Sequence, residues 1–354
     1  MRVIGLMSGT SLDGVDAAWL DTYGETVART GRSLTLPYDD ALRADLRRLL
    51  DLAPTLAAGD AFLADVEARL TARHADAVAA LDAPADLIGM HGQTILHDPA
   101  ARRTWQIGDA KALARATGTR VAFDFRFADV AAGGEGAPFA PAYHQALAAD
   151  LQRPLAVLNL GGVANVTVIA RDGSLMACDT GPASGPLDDW TQRHTGARFD
   201  RDGQLAASGR VDAAVLATLL ADPYFARPAP KSLDRLAFSA LIAASGVNAL
   251  SAADGAATLL AFTVEAVART RLPEPPRLWL VTGGGRHNRA LMAALAARLG
   301  APVAPVESVG WDGDALEARC FGFLAVRVVR GLPLSFPGTT GVPRPLPGGR
   351  LSRP

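Results

Sequence analysis

Seven residues near the N-terminus, Ser8-Gly-Thr-Ser-Leu-Asp-Gly14, combine hydroxyls, glycines and a carboxylate. Strand-like apolar runs flank them, Arg2–Met7 before and Val15–Leu20 after, which predicts a hairpin with a small polar loop. Glycines let main-chain N–H groups approach a phosphate closely, and Ser and Thr hydroxyls add donors. Asp13 and Asp16 would repel a phosphate unless a cation lies between. Asp13 can hold Mg²⁺ through its water shell, the partial coordination that ion prefers. The same residue types also build ordinary turns. Gly9, Thr10, Ser11, Leu12, Asp13, Gly14, Val15 and Asp16 are therefore read as a triphosphate-binding loop, weighed against a plain hairpin turn.

Three further segments carry related chemistry. Leu158-Asn-Leu-Gly-Gly-Val-Ala-Asn165 predicts a second glycine hairpin, with strands at Leu155–Leu160 and Asn165–Ala170, and Asn159, Gly161 and Gly162 as phosphate contacts. Val281-Thr-Gly-Gly-Gly-Arg-His-Asn288 predicts a strand, a triple-glycine loop and a helix start. Gly283, Gly284, Gly285 and Asn288 would leave room there for an adenine or ribose beside a helix N-terminus. Asp179, at the end of a strand-like run in Cys178-Asp-Thr-Gly-Pro182, has the position of a general base for a hydroxyl or water, although a helix-capping Asp would look the same. His91-Gly-Gln-Thr94 follows the apolar run Leu87–Met90. His91, Gln93 and Thr94 offer donors and acceptors that suit a sugar, against the alternative of a structural histidine.

Other chemistries lack their residues. The glycine loops do not read GxGxxG, and the chain's two lysines, Lys111 and Lys231, do not follow a glycine loop, which excludes a P-loop. The histidines lack HExxH spacing, so no metal cluster is expected, and there is no G-x-S-x-G elbow. Cys178 and Cys320 form no CxxC pair. A net charge of -1 gives no reason to expect nucleic acid or an anionic membrane as partner. No run approaches the ~18 apolar residues of a membrane span, and the short apolar start is followed by Asp13 and Asp16. A cytoplasmic protein is expected.

The elements that must position these residues alternate strand and helix, which predicts an α/β fold. Leu42, Leu46 and Leu49 fall on one helical face, and Phe62–Leu81 continues a helical pattern. Strands are expected at Thr104–Ile107, Val121–Phe125 and Arg277–Thr282, with a helix between Asp109 as cap and Gly118 as stop. Helices are expected near Trp190, over Ala256–Ala268, from about Asn288 to Leu299, and over Ala315–Arg330. Ala131–Pro141 reads as a linker or functional loop, and the Pro- and Gly-rich tail from Pro333 as irregular surface. The two glycine hairpins lie about half a chain apart, suggesting two related domains facing across a cleft, though the halves are too dissimilar to be called a repeat.

Taken in order, Gly5–Asp16, His91–Thr94, Gln106-Ile-Gly108, Asp124-Phe-Arg126, Asp129–Gly134, Gly136-Ala-Pro138, Asn159–Gly162, Asp179–Pro182, Phe199–Gly203, Pro230-Lys-Ser232 and Gly283–Gly285 resemble the anhydro-N-acetylmuramic acid kinase family over nearly the whole chain. The resemblance implies two ribonuclease-H-like domains of the actin/hexokinase/Hsp70 type around a central ATP and sugar cleft. The expected first domain is residues 1–130 plus a tail from about 336 to 354, and the second is residues 131–335. It also implies ATP and Mg²⁺ as cofactors and a homodimer. The implied reaction is opening of a 1,6-anhydro sugar by water while O6 takes the γ-phosphoryl of ATP, a step of peptidoglycan recycling. By the same resemblance Asp179 activates the water, Glu317 is a sugar-site carboxylate, and Asp129 lies at the sugar. Two departures, Ala128 where the family commonly has Arg and Ala183-Ser184 where it tends to have Gly-Asn, lie near the implied sugar site. They leave open a kinase for another anhydrosugar or a neutral sugar. A nucleotide-binding regulatory protein without catalysis is a third reading, disfavoured by the presence of Asp13, Asp179 and Glu317.

Overall fold

The computed structural model describes residues 1–9, 11–57, 59–233 and 238–354. Its strands, in chain order, are β1 (Arg2–Ser8), β2 (Gly14–Thr22), β3 (Val27–Pro37), β4 (Leu87–Asp98), β5 (Arg103–Ile107), β6 (Val121–Phe123), β7 (Leu155–Leu160), β8 (Val163–Ile169), β9 (Leu175–Pro182), β10 (Leu278–Thr282), β11 (Val303–Pro305) and β12 (Arg350–Ser352). They form two sheets, one in each of two compact units. The first unit comprises residues 1–150 and 315–354, the second residues 151–314.

In the first unit β1, β2 and β3 make an antiparallel meander, and β4 and then β6 add in parallel on the far side of β1. The sheet order is β12-β6-β4-β1-β2-β3, with β5 paired to β4. Ile4, Leu6, Val15, Ala17 and Ile88 point to one face, where Leu42, Leu46 and Leu49 of helix Asp40–Leu52 and Val66, Leu70 and Ala77 of helix Ala61–Leu81 cover them. Strict alternation along β1 sends Gly5 to the opposite face. There helix Leu316–Arg330 lies so close that a Cβ on Gly5 would collide with the Ala318 carbonyl, and one on Gly89 with that of Phe321. The glycines at these two points permit the close approach.

The second unit repeats the topology. β7, β8 and β9 form the antiparallel meander, β10 pairs in parallel with β7 and β11 with β10, giving the order β11-β10-β7-β8-β9. Its core joins Leu158, Val166 and Val168 of the sheet to Leu259, Phe262 and Val264 of helix Ala252–Ala268. Each sheet thus has a three-strand antiparallel meander followed by two parallel additions beside its first strand. This is the ribonuclease-H-like arrangement of actin- and hexokinase-type proteins, and the expected α/β class holds.

Several details differ from the sequence reading. The units divide after Asp150 and after Asp314, not near 130 and 335, because helix Leu316–Arg330 packs on β1, β2 and β4. β4 does not stop at Met90 but carries His91–Thr94 within it, since β5 pairs with its second half. β3, an edge strand with most side chains exposed, has no strong apolar alternation to announce it. The hairpin turn of the second unit is only Gly161-Gly162, because Val163 and Ala164 already pair with Pro182 and Gly181. The tail is not irregular surface throughout: Thr339, Thr340 and Val342 are buried, and β12 pairs with β6.

Candidate active site

β1 ends in the buried Ser8, whose hydroxyl lies 3.0 Å from His74 Nε2. His74 Nδ1 lies 2.8 Å from the Leu70 carbonyl. A carbonyl only accepts, so Nδ1 carries the proton and Nε2 accepts from Ser8. Burial holds the His74 pKa down to about 4, so the ring is neutral. Beyond Ser8 the chain turns tightly, with Leu12 N–H donating to Gly9 O at 3.2 Å and Leu12 in the left-handed region at φ 56°. Tyr38 N–H donates to the Asp13 carbonyl at 3.1 Å. Arg43 donates to the Leu12 carbonyl at 2.8 Å and forms an ion pair with the Asp13 carboxylate.

This geometry sorts the residues of the first loop. A Cβ on Gly9 would make only ordinary contact, 3.6 Å from Ser11 Oγ, and Ser11 and Asp13 are exposed. Leu12 and Val15 are core side chains and present only backbone. A Cβ on Gly14 would strike the Leu36 carbonyl, so that glycine serves the β2–β3 pairing. Asp16 accepts a 2.6 Å hydrogen bond from Thr35 across the same strands. Thr10 lies outside the described residues.

The second cluster in this unit centres on the peptide of Gly136. Its N–H donates to Asp129 Oδ1 at 2.7 Å, and its carbonyl accepts from Arg126 at 2.5 Å. Arg126 Nε donates to His91 Nε2 at 2.9 Å, while His91 Nδ1 lies 2.7 Å from the Gly92 carbonyl. Burial, reinforced by the Arg126 charge, holds the His91 pKa well below the usual histidine range. The second oxygen of Asp129 accepts from Thr340 at 2.6 Å. Asp129, 1% exposed, therefore shapes the Gly133–Gly136 loop and ties the tail to it. Gln93 is fully buried beside Ser8, its register partner on β1. Thr94 accepts from Gln106 at 3.2 Å. Glu317 stands exposed in the first turn of helix Leu316–Arg330.

In the second unit, Asn159 and Asn165 face each other across β7 and β8. The carbonyls of Gly161 and Gly162 accept from Ser184 N–H at 2.9 Å and Ala183 N–H at 3.0 Å, which stitches the turn to helix Ser184–Thr195. Gly283 and Gly285 pack on the end of β7, where a Cβ would meet Asn159 Oδ1 or Leu160, whereas Gly284 faces open space. A single 3₁₀ turn, Gly284–His287, precedes helix Arg289–Arg298. Asn288 is the N-cap of that helix, its Oδ1 accepting from Leu291 N–H at 3.0 Å. Arg286, buried, holds this turn through Glu307 at 2.9 Å and Asp314 at 2.8 Å. Asp179 sits on β9 opposite Asn165. Its N–H donates to Lys231 O at 2.9 Å, its carbonyl accepts from Tyr224 Oη at 2.8 Å, and its Oδ2 accepts from Leu233 N–H at 2.7 Å.

The sequence reading missed Arg43, Arg126, Thr340 and Tyr224. Arg126 was legible as part of Asp124-Phe-Arg126. The others act from positions remote in sequence and carry no local signal. Among the described residues no group of three or more His, Cys, Asp or Glu could hold a metal ion. A single exposed carboxylate on a glycine-bearing turn is nevertheless the donor set that suits an ion retaining most of its waters. Chemically, the first unit offers backbone, hydroxyl and one carboxylate at a tight turn, and the second a carboxylate that accepts from the Leu233 N–H.

A family model described as anhydro-N-acetylmuramic acid kinase matches residues 1–351. The chain is 64% identical over 354 residues to the anhydro-N-acetylmuramic acid kinase of Acidiphilium cryptum, covering 100% of this chain and 99% of that one. It is 56% identical to the protein of the same name from Rhodospirillum rubrum, covering 98% and 92% of the two chains. Against that from Gluconobacter oxydans it is also 56% identical, covering 98% of each. With the repeated ribonuclease-H-like sheets and glycine turns in place, this chain belongs to the anhydro-N-acetylmuramic acid kinase family.

Proposed function

We propose that the protein opens the 1,6-anhydro ring of 1,6-anhydro-N-acetylmuramic acid and phosphorylates O6 with ATP, giving N-acetylmuramate 6-phosphate for cell-wall recycling. Family membership over residues 1–351 supports the kinase reading. The observation that carries the chemistry is Asp179, whose carboxylate is oriented on β9 by Leu233 N–H. In this reading Asp179 takes a proton from water, the water oxygen bonds to C1, the C1–O6 bond breaks, and O6 takes the γ-phosphoryl as ADP leaves. Gly9, Ser11 and the backbone of Leu12 to Val15 receive the phosphates, with Thr10 as a further donor, and Gly161, Gly162 and Gly283–Gly285 approach the nucleotide. Mg²⁺, when bound, neutralises phosphate charge, as is general for phosphoryl transfer. Asp13 would hold it through water and would exchange its Arg43 partner to do so. His91, Gln93, Thr94 and Asp129 belong to the sugar side, where the structure supports a shaping role for Asp129, and Glu317 offers an exposed carboxylate. A cytoplasmic homodimer fits this role; among the described residues no helix is long and apolar enough to cross a membrane.

The test is ADP release with ATP and a panel of anhydrosugars. Turnover is expected to be fastest with the lactyl-bearing sugar. Preference for a sugar without that group would decide for another acceptor, the reading Ala128 favours. Asp179→Asn is expected to lower kcat by about 10²–10⁴-fold with ATP binding nearly unchanged; wild-type turnover by that variant would remove Asp179 as the base.

A further inference from the structure

Lys231 is one of two lysines among 35 basic residues, and it is 3% exposed. Burying an ammonium is costly, and an apolar residue of similar volume would ordinarily be the more stable occupant. The site is built for the charge. Nζ donates to the Tyr224 carbonyl at 2.9 Å and lies 4.2 Å from the centroid of the Tyr224 ring. A compact ammonium on a flexible stem fits such a place, where a planar guanidinium fork would not. The same two residues hold Asp179: Lys231 through its carbonyl and Tyr224 through its hydroxyl, with Leu233 N–H on the carboxylate.

We propose that Lys231 is a positioning residue for Asp179: its ammonium holds Tyr224 by that residue's carbonyl and ring, and its own carbonyl together with the Tyr224 hydroxyl anchors the Asp179 backbone, which keeps this carboxylate aimed. The inference rests on the reading of Asp179 as base. The other groups around the pair fit that division of labour. Burial pushes the neighbouring Cys178 thiol up to about 12, so it stays neutral. Burial lowers the Lys231 pKa and Arg227 adds to that, while Cys178 and, less strongly, Asp179 act the other way. Glu265, on the helix packed against β9, is engaged with Arg298 at 2.6 Å. Asp188 and Asp189 lie on the helix that follows β9, and Tyr224 takes part through its ring and hydroxyl.

The experiment is the kcat and KM of ADP release with ATP and the anhydrosugar, for wild type, Asp179→Asn, Lys231→Met, Lys231→Arg and Tyr224→Phe, with a thermal melt of each. Lys231→Met releases Tyr224 from the ammonium and loosens the anchor that Tyr224 places on Asp179. It should therefore lower kcat by about tenfold or more with the KM for ATP little changed. Lys231→Arg keeps a charge but misplaces its donors on Tyr224, so kcat should fall again with the KM for ATP little changed. A folded Lys231→Met protein with wild-type kcat overturns the proposal, as does a loss of melting temperature alone. If Lys231→Met fails to fold, Lys231→Arg and Tyr224→Phe decide, and unchanged kcat in both overturns it. Absence of wild-type turnover, or full activity of Asp179→Asn, defeats the reading of the base and this inference with it.

Discussion

At the scale of single residues, several side chains whose types suggested contact with a ligand are engaged in holding backbone. Asp129 is the clearest case. Its two oxygens accept from Gly136 N–H and Thr340 Oγ1 in a buried setting. Thr340→Val would leave one oxygen of a buried carboxylate without its donor, at about 1–3 kcal/mol. Urea denaturation should show that loss, and the KM for sugar should rise while the KM for ATP holds. Asn288 is similar: its carboxamide oxygen caps helix Arg289–Arg298, and Asn288→Ala should cost about 1 kcal/mol of stability in the same assay. Asp13 and Ser11 stand on the other side of the division, exposed on a turn that Arg43 and Tyr38 hold in shape.

At the scale of elements, the sheet and helix Leu316–Arg330 of the first unit meet backbone to backbone. Gly5 reads from sequence as the start of a phosphate-loop motif, yet its missing side chain serves this packing four residues before the turn. Ala at this position must push the helix off β1 or bend the strand. Gly5→Ala is expected to destabilise by about 3 kcal/mol, the upper range for an overpacked core. A fall in the urea midpoint with unchanged m-value checks it. Gly9→Ala makes only an ordinary van der Waals contact with Ser11 and should leave the midpoint nearly where it is, so the pair of variants separates packing glycines from loop glycines.

At the scale of the whole molecule, the buried histidines are distributed unevenly. His74, His91 and His144 are buried in the first unit, whereas His194 and His287 of the second are exposed. Burial holds His74 at about 4 and His144 at about 3, and His91 well below the ordinary value. The unfolded chain takes up these protons near pH 6.5 and the folded unit does not. Stability is therefore full above that pH and falls as pH drops toward the folded values. His74 alone accounts for a loss of about 3 kcal/mol by pH 4. Hydrogen exchange followed by mass spectrometry between pH 7 and 4 should show the first unit losing protection before the second. His74→Gln should flatten that dependence.

Much of this protein is local and so was legible in its residues. The α/β alternation, both glycine hairpins, the caps at Asp109 and Gly118, and the family motifs all depend on neighbours a few positions apart, where backbone propensity and periodicity act. The edge strand β3 escaped because an exposed strand buries too little to leave an alternating pattern. What the tertiary structure alone decided involves long separations: Thr340 on Asp129 across 211 residues, Arg43 on the loop 30 residues before it, and helix Leu316–Arg330 joining the unit that begins at Met1. A side chain's type states which bonds it can make, but which partner completes them depends on chain segments that only folding brings together. For that reason Gly5 took a packing role and Asp129 a loop-shaping one once the chain was folded, and Asp179 lies within β9, which runs on to Pro182.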